Sequence, residues 1–212
     1  MPLTFIYDDR DGNSKPKPID IKETSKRCPI SDAAPTINRS KVKSTVMIYC
    51  HGGLRKQQNV HQSYLRLPNA DGQWNKLNGA AIFSRLEAWF TGIPARTLES
   101  VTRIELLACH AADTDNSVAL QLRNALSNNV TTGNNVLFPN VETVVGVRGV
   151  IDQDNNHQGI NLTTYVHADL LPLAEQQQNP NGVTYQLGSS RILTDGGLQR
   201  VEDAAAVIQF NI

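Results

Sequence analysis

Apolar residues recur along this chain in two rhythms that divide it into strands and helices. Leu3, Phe5 and Tyr7 alternate with their neighbours in the manner of a half-buried strand that Asp11-Gly12 closes. Thr45–Cys50 and Val101–Leu107 are nearly continuous apolar runs of strand length, the pattern of strands buried on both faces. Val141–Val150 predicts a third strand, interrupted by Gly146 and Gly149, and Ile160–Val166 a fourth. Helical spacing runs over Gly79–Phe90, where Ile82, Leu86 and Trp89 share one side before Gly92 and Pro94 end it. It returns behind Asp113–Ser117, a group of N-cap residues, with Val118, Leu122, Ala125 and Leu126 as far as Asn128.

The polar stretches complete the outline. Residues 12–42 carry Pro16, Pro18, Pro29 and Pro35 and predict a long loop with one short edge strand near 18–22. Leu54–Asn69 predicts a polar loop, followed by a hairpin about Asp71-Gly72. Further on, Gln176–Gly182 reads as a loop, Val183–Leu187 with Arg191–Leu193 as a hairpin, and Gly197–Phe210 as a C-terminal helix. Strands alternating with helices predict an α/β fold with a mainly parallel central sheet covered by helices on both faces. One domain is expected. Residues 1–43 supply its first strand and loop, 44–150 the core, and 151–212 the last strands and helix.

Composition narrows the functional classes. The 212 residues carry a formal net charge of zero and a near-neutral balance, which removes any global attraction to nucleic acid or anionic membranes. The basic residues between Lys15 and Lys43 are diluted by acids and prolines and lack interleaved aromatics, so they read as a solvated segment. No apolar run approaches the ~18 residues of a membrane span, and Leu3–Tyr7 is followed at once by Asp8 and Asp9. The expectation is a soluble protein, cytoplasmic or exported without a cleavable signal. Three cysteines, Cys28, Cys50 and Cys109, have neither the number nor the spacing of a disulfide framework or a structural zinc site.

Two of the apolar runs stop on reactive side chains. Thr45–Cys50 leads into His51-Gly52-Gly53, and Ile104–Leu107 leads into Ala108-Cys109-His110. Chemistry in open α/β sheets gathers outside the carboxyl ends of parallel strands. A crossover helix over 79–90 makes the two strands neighbours, so His51 and Cys109 are expected on one rim as base and nucleophile. A histidinium, or the N-terminus of the helix behind Cys109, lowers a thiol pKa from about 8.5 into the range ~3.5–7.5. Gly52 and Gly53 allow backbone N–H groups to turn toward a developing oxyanion.

These strand ends resemble those of the caspase–haemoglobinase group of cysteine peptidases, clan CD, nearest the clostripain-like and bacterial toxin-processing branches. In that group one hydrophobic strand ends in His-Gly and the next in Ala-Cys, as His51-Gly52 and Ala108-Cys109 do here. Asn116–Leu126 followed by Val144–Val147 is similar to the toxin-type branch. The likeness covers about residues 44–150. It implies a three-layer caspase-like sandwich and a cysteine endopeptidase acting through a thioester acyl-enzyme. His51 is then the general acid/base and Cys109 the nucleophile, with the amides of Gly52 and Cys109 as the oxyanion hole. A protein or peptide is the implied substrate, no cofactor is required, and a bacterial effector or toxin-type protease is the implied setting. His110-Ala111-Ala112 departs from the group, many of whose members carry a glycine shortly after the cysteine.

Plainer roles are assigned to the remaining candidates. Cys50 points away from His51 by strand alternation and is structural, and His110 is read as structural too. Asp113 and Asp115 are helix caps before they are partners of His51 or of a basic substrate side chain. His61, His157 and His167 read as solvated, and Arg148 as a surface or paired arginine. A metal site from His51, Cys109, His110 and Cys50 lacks ligand spacing. Two alternatives stay open: an inactive pseudo-protease or α/β binding module, and an α/β-hydrolase-like esterase using His51-Gly52-Gly53 as its oxyanion loop.

Overall fold

The structure, a computed structural model, describes residues 3–8, 26–30, 34–57, 60–68, 73–113, 116–132, 136–148, 150–153, 160–166, 183–186 and 207–212. In chain order its strands begin with β1 (Leu3–Asp8), β2 (Lys26–Ile30), β3 (Thr45–Tyr49), β4 (His51–Gln57), β5 (Val60–Pro68) and β6 (Trp74–Leu77). Helices α1 (Gly79–Trp89) and α2 (Ala95–Leu98) lead to β7 (Arg103–Leu107), and α3 (Val118–Thr132) leads to β8 (Thr143–Val147). The chain continues as β9 (Val150–Gln153), β10 (Ile160–Val166), β11 (Val183–Gln186) and β12 (Val207–Asn211).

Six strands form one sheet in the order β12-β8-β7-β3-β1-β2. All its pairs are parallel except β12 on β8. Two three-stranded antiparallel sheets stand apart from it, β4-β5-β6 and β9-β10-β11. The mainly parallel α/β sheet is therefore as expected. Ile6, Val46, Ile48, Ile104, Leu106 and Val144 form one core with Ile82, Leu86 and Trp89 of α1, Leu98 of α2 and Val118, Leu122 and Leu126 of α3.

Helical cover on both faces is not found among the described residues, and the topology gives the reason. The steps β3–α1–β7 and β7–α3–β8 move the same way across the sheet, and right-handed crossovers in one direction put both helices on one face. Leu3, Phe5, Met47, Leu107 and Val145 on the other face are nonetheless buried. Phe5 there stacks on Tyr7 at 5.2 Å between ring centroids. Hence β1 is an interior strand buried on both sides at Leu3–Ile6, not a half-buried one.

Other expectations change similarly. Residues 18–22 lie outside the described residues. The edge strand of this region is Lys26–Ile30, where Pro29 is tolerated because an edge strand has one side without ladder bonds. Leu54–Asn69 is not a loop, because His51–Gln57 and Val60–Pro68 pair as an antiparallel hairpin. Val141–Val150 divides into β8 and β9 in different sheets, and Ile160–Val166 joins the smaller sheet. Gly146 does not interrupt β8. A Cβ there would lie 2.9 Å from the Cβ atoms of Ala112 and Ala119, so glycine is what lets α3 approach. Val183–Gln186 is β11 and pairs with β10; Leu187 and Arg191–Leu193 lie outside the described residues.

Val207–Asn211 is a strand rather than the end of a C-terminal helix; residues 197–206 lie outside the described residues. Pairing along β8 satisfies backbone groups that an edge would leave open, and tertiary pairing overrides local helical spacing. Arg123 Nε adds a 2.5 Å hydrogen bond to the Asn211 carbonyl. No helix among the described residues is long and apolar enough to cross a membrane.

Every residue of β7 is buried, including Arg103 and Glu105, whose Nε and Oε1 are 2.6 Å apart. Glu105→Ala would leave a buried guanidinium without this carboxylate and should cost about 3–5 kcal/mol in denaturant unfolding. A paired Arg103→Met/Glu105→Leu variant should recover most of that loss.

Candidate functional site

Parallel pairing brings the two reactive strand ends together. Across β3 and β7 the register is constant, from Thr45 with Arg103 to Tyr49 with Leu107. The amide of Cys50 extends it with a 3.4 Å hydrogen bond to the Leu107 carbonyl. The same offset, carried one residue past the ladder, aligns Cys50 with Ala108. Both strands end here for physical reasons. Cys50 turns the chain out of the large sheet into β4, and after β7 residues 108–113 fold into a tight turn with Ala111 N–H donating to Ala108 O at 3.3 Å.

Gly52 is where the two segments touch. A Cβ on it would lie 2.1 Å from the Cys109 carbonyl oxygen and 3.2 Å from the Ala108 Cβ. Only a residue without a side chain allows this approach. His51-Gly52-Gly53 is thus the paired start of β4, opposite Tyr64–Arg66, and not a free loop. His51 is exposed, and its ring meets the Trp74 ring edge-on at 6.4 Å. Cys109 is half-buried, whereas Cys50 is buried in the core as expected. Cys28 is also buried, which raises its thiol pKa.

The first amides of the helix behind Cys109 are bonded within the fold and do not point free toward it. Ser117 caps α3, its Oγ accepting from the Leu120 amide at 3.3 Å. The Val118 amide donates to Ser63 Oγ at 2.7 Å and the Ala119 amide to Ala111 O at 3.0 Å. These amides have partners within the fold. Asp113 is not the cap either: its buried carboxylate pairs with His110 Nδ1. His110 has φ +60°, a left-handed backbone that costs a non-glycine residue about 1 kcal/mol or more, and its pairing with Asp113 holds the turn that carries Cys109.

Tyr49 belongs to this site although the sequence reading passed over it. It ends β3 on the face of Phe5, 6.3 Å away between ring centroids. Its phenol pKa is pushed up to about 12 by burial, then by Cys109 and by Cys50. The signal for it was its place two residues before His51 on the same side of the strand. Because the folded value lies above the unfolded value of about 10, its contribution to stability is complete below pH ~10 and is lost as pH rises toward 12. Ultraviolet titration should therefore lose a late tyrosinate step in Tyr49→Phe.

The other candidates are dispersed. His61 is half-buried on β5 rather than solvated, and Asp115, His157 and His167 lie outside the described residues. Arg148 follows β8 half-buried, with a buried Nε that makes no hydrogen bond among the described residues. No group of three or more His, Cys, Asp or Glu side chains among the described residues is placed to hold a metal ion. A pocket of about 480 Å³ lined by Phe90, Ile93, Leu98 and Leu137 lies where the chain approaches β7, away from Cys109. Comparison with protein-family models, with curated proteins and with solved structures finds no match to this chain.

Proposed function

We propose that the protein is a cysteine endopeptidase with a caspase-like arrangement, in which Cys109 is the nucleophile and His51 its proton partner. The observation that carries this reading is the close approach of Gly52, the residue next to His51, to the Cys109 backbone at the ends of two paired strands. The thiolate attacks a peptide carbonyl, and its sulfur–carbon bond forms as the carbonyl electrons move onto oxygen. Collapse expels the amine, which takes a proton from the His51 imidazolium, and leaves a thioester. Water activated by His51 then releases the acid and regenerates the thiol. The amides of Gly52 and Cys109 are assigned to the oxyanion, and Tyr49 offers a neutral hydroxyl on the same face.

Turnover of a peptide library by the full chain, compared with Cys109→Ala, is the direct test. Cleavage that vanishes in Cys109→Ala is the expected result. Cleavage that survives it, or serine labelling by a fluorophosphonate, would overturn the assignment. Cys109 and His51 in place with no turnover on any peptide would leave an inactive scaffold as the reading.

A further inference from the structure

The antiparallel sheet that begins at His51 turns a cationic, aromatic face outward. Its inner face carries Ser63, Leu65 and Leu67 of β5, all buried. On the outer face the register aligns His51 with Arg66 and Arg66 with Lys76 in one row. Gly53 lies opposite Tyr64, and Arg55 opposite Gln62. His51, Arg55, Arg66 and Lys76 are all exposed.

Two aromatic rings hold these cations in place. The Arg66 guanidinium carbon is 4.9 Å from the centre of the Trp74 ring, and Lys76 Nζ is 4.7 Å from the centre of the Tyr64 ring. A Cβ on Gly53 would lie 2.7 Å from the Tyr64 hydroxyl, so Tyr64 crosses the place a side chain would occupy. No aspartate or glutamate occurs in β4, β5 or β6, in a chain whose net charge is zero. The positive charge is therefore local to this face and continuous with the candidate catalytic histidine.

We propose that this face binds an acidic segment of the polypeptide substrate lying a few residues from the scissile bond. Neighbouring strands are about 4.8 Å apart and residues rise about 3.3 Å each, so Lys76 stands roughly 10 Å and Arg55 roughly 13 Å from His51. An extended peptide covers those spans in about three to four residues. Carboxylates at such positions meet Arg66 and Lys76 along the row that starts at His51, with Arg55 flanking that row along β4, and apolar stems of the same segment lie on Trp74 and Tyr64. A nucleic acid fits less well: the patch offers few phosphate contacts, and it adjoins a thiol and an imidazole suited to acyl transfer.

The assignment of the segment to a substrate rests on the peptidase reading, but its binding does not, so the two are tested apart. The full chain bearing Cys109→Ala is titrated with fluorescein-labelled decapeptides that carry three Asp or Glu residues, or Asn and Gln in their place, and binding is read by anisotropy. The acidic peptide should bind at least about tenfold more tightly, and its affinity should fall as salt is raised. Arg66→Gln and Lys76→Gln should each weaken it about threefold and together about tenfold, with unfolding midpoints unchanged. Arg96→Gln, at an exposed position of α2, should change nothing. Equal binding of acidic and amide peptides would overturn the proposal. So would an unaffected double variant, or an oligonucleotide or tripolyphosphate that binds where the peptide does not. Acidic-peptide binding without cleavage by the unmodified chain would keep this surface and remove the peptidase reading; cleavage indifferent to acidic flanks would do the reverse.

Discussion

His51→Ala should slow the reaction of Cys109 with an electrophilic thiol probe at pH 7 by about thirtyfold. The size follows from ionisation. A thiol of ordinary pKa, about 8.5, is roughly 3% thiolate at pH 7, so full ionisation beside a proton partner raises the reactive fraction by about thirtyfold. Those first amides of α3 are committed to Ser63, Ala111 and Ser117, so they do not replace the histidine. Peptide turnover should fall further, by about 10²–10⁴, because the leaving amine also loses its proton donor. The labelling is selective by burial, since Cys28 and Cys50 are both buried and Cys109 is not. Mapping the modified cysteine by mass spectrometry in both proteins checks this. Equal rates in the two would remove His51 from the chemistry.

Gly52→Ala should damage both stability and reactivity. Its Cβ would lie 2.1 Å from a backbone carbonyl oxygen, so no side-chain rotation relieves the contact. Either β4 or the turn at Cys109 must move. Overpacking of this kind costs about 1–3 kcal/mol or more, which in a chain of this size lowers the melting temperature by roughly 2–12 °C. Movement of either segment also separates the candidate partners, so Cys109 labelling should slow in the fraction that remains folded. Gly92→Ala is the matched control. Gly92 has φ +78° with nothing within 4 Å of its would-be Cβ, so alanine there meets backbone strain of about 1 kcal/mol and leaves Cys109 unchanged. A Gly52→Ala protein with unaltered melting and labelling would mean that the two segments do not touch.

Much of this site is legible before folding because parallel strands carry a simple arithmetic. Thr45–Cys50 and Ile104–Leu107 are continuous apolar runs, Gly79–Phe90 is a helix of crossover length, and the reactive residues lie two positions beyond Tyr49 and Leu107, where β3 and β7 end. The alternation at Ser63, Leu65 and Leu67 was legible too. It was masked by the polar outer residues Gln62, Tyr64 and Arg66, which gave the segment the overall look of a loop. Tyr49 was readable as a neighbour of His51, but its perturbed hydroxyl depends on burial that only the folded chain creates.

The sequence by itself determined the local elements with strong periodicity, the candidate nucleophile and base, and the exclusion of a disulfide framework. Those features depend on residue type and spacing, which need no knowledge of neighbours. Tertiary structure alone decided that Val207–Asn211 pairs as a strand, that the described helices share one face, and that Asp113 serves His110 instead of α3. It also decided that Arg55, Arg66 and Lys76, scattered along the chain, stand in one cationic array beside His51. Each of these is a choice among partners distant in sequence. Strand pairing, crossover handedness and the satisfaction of buried polar groups make that choice together, and no local window of residues contains it.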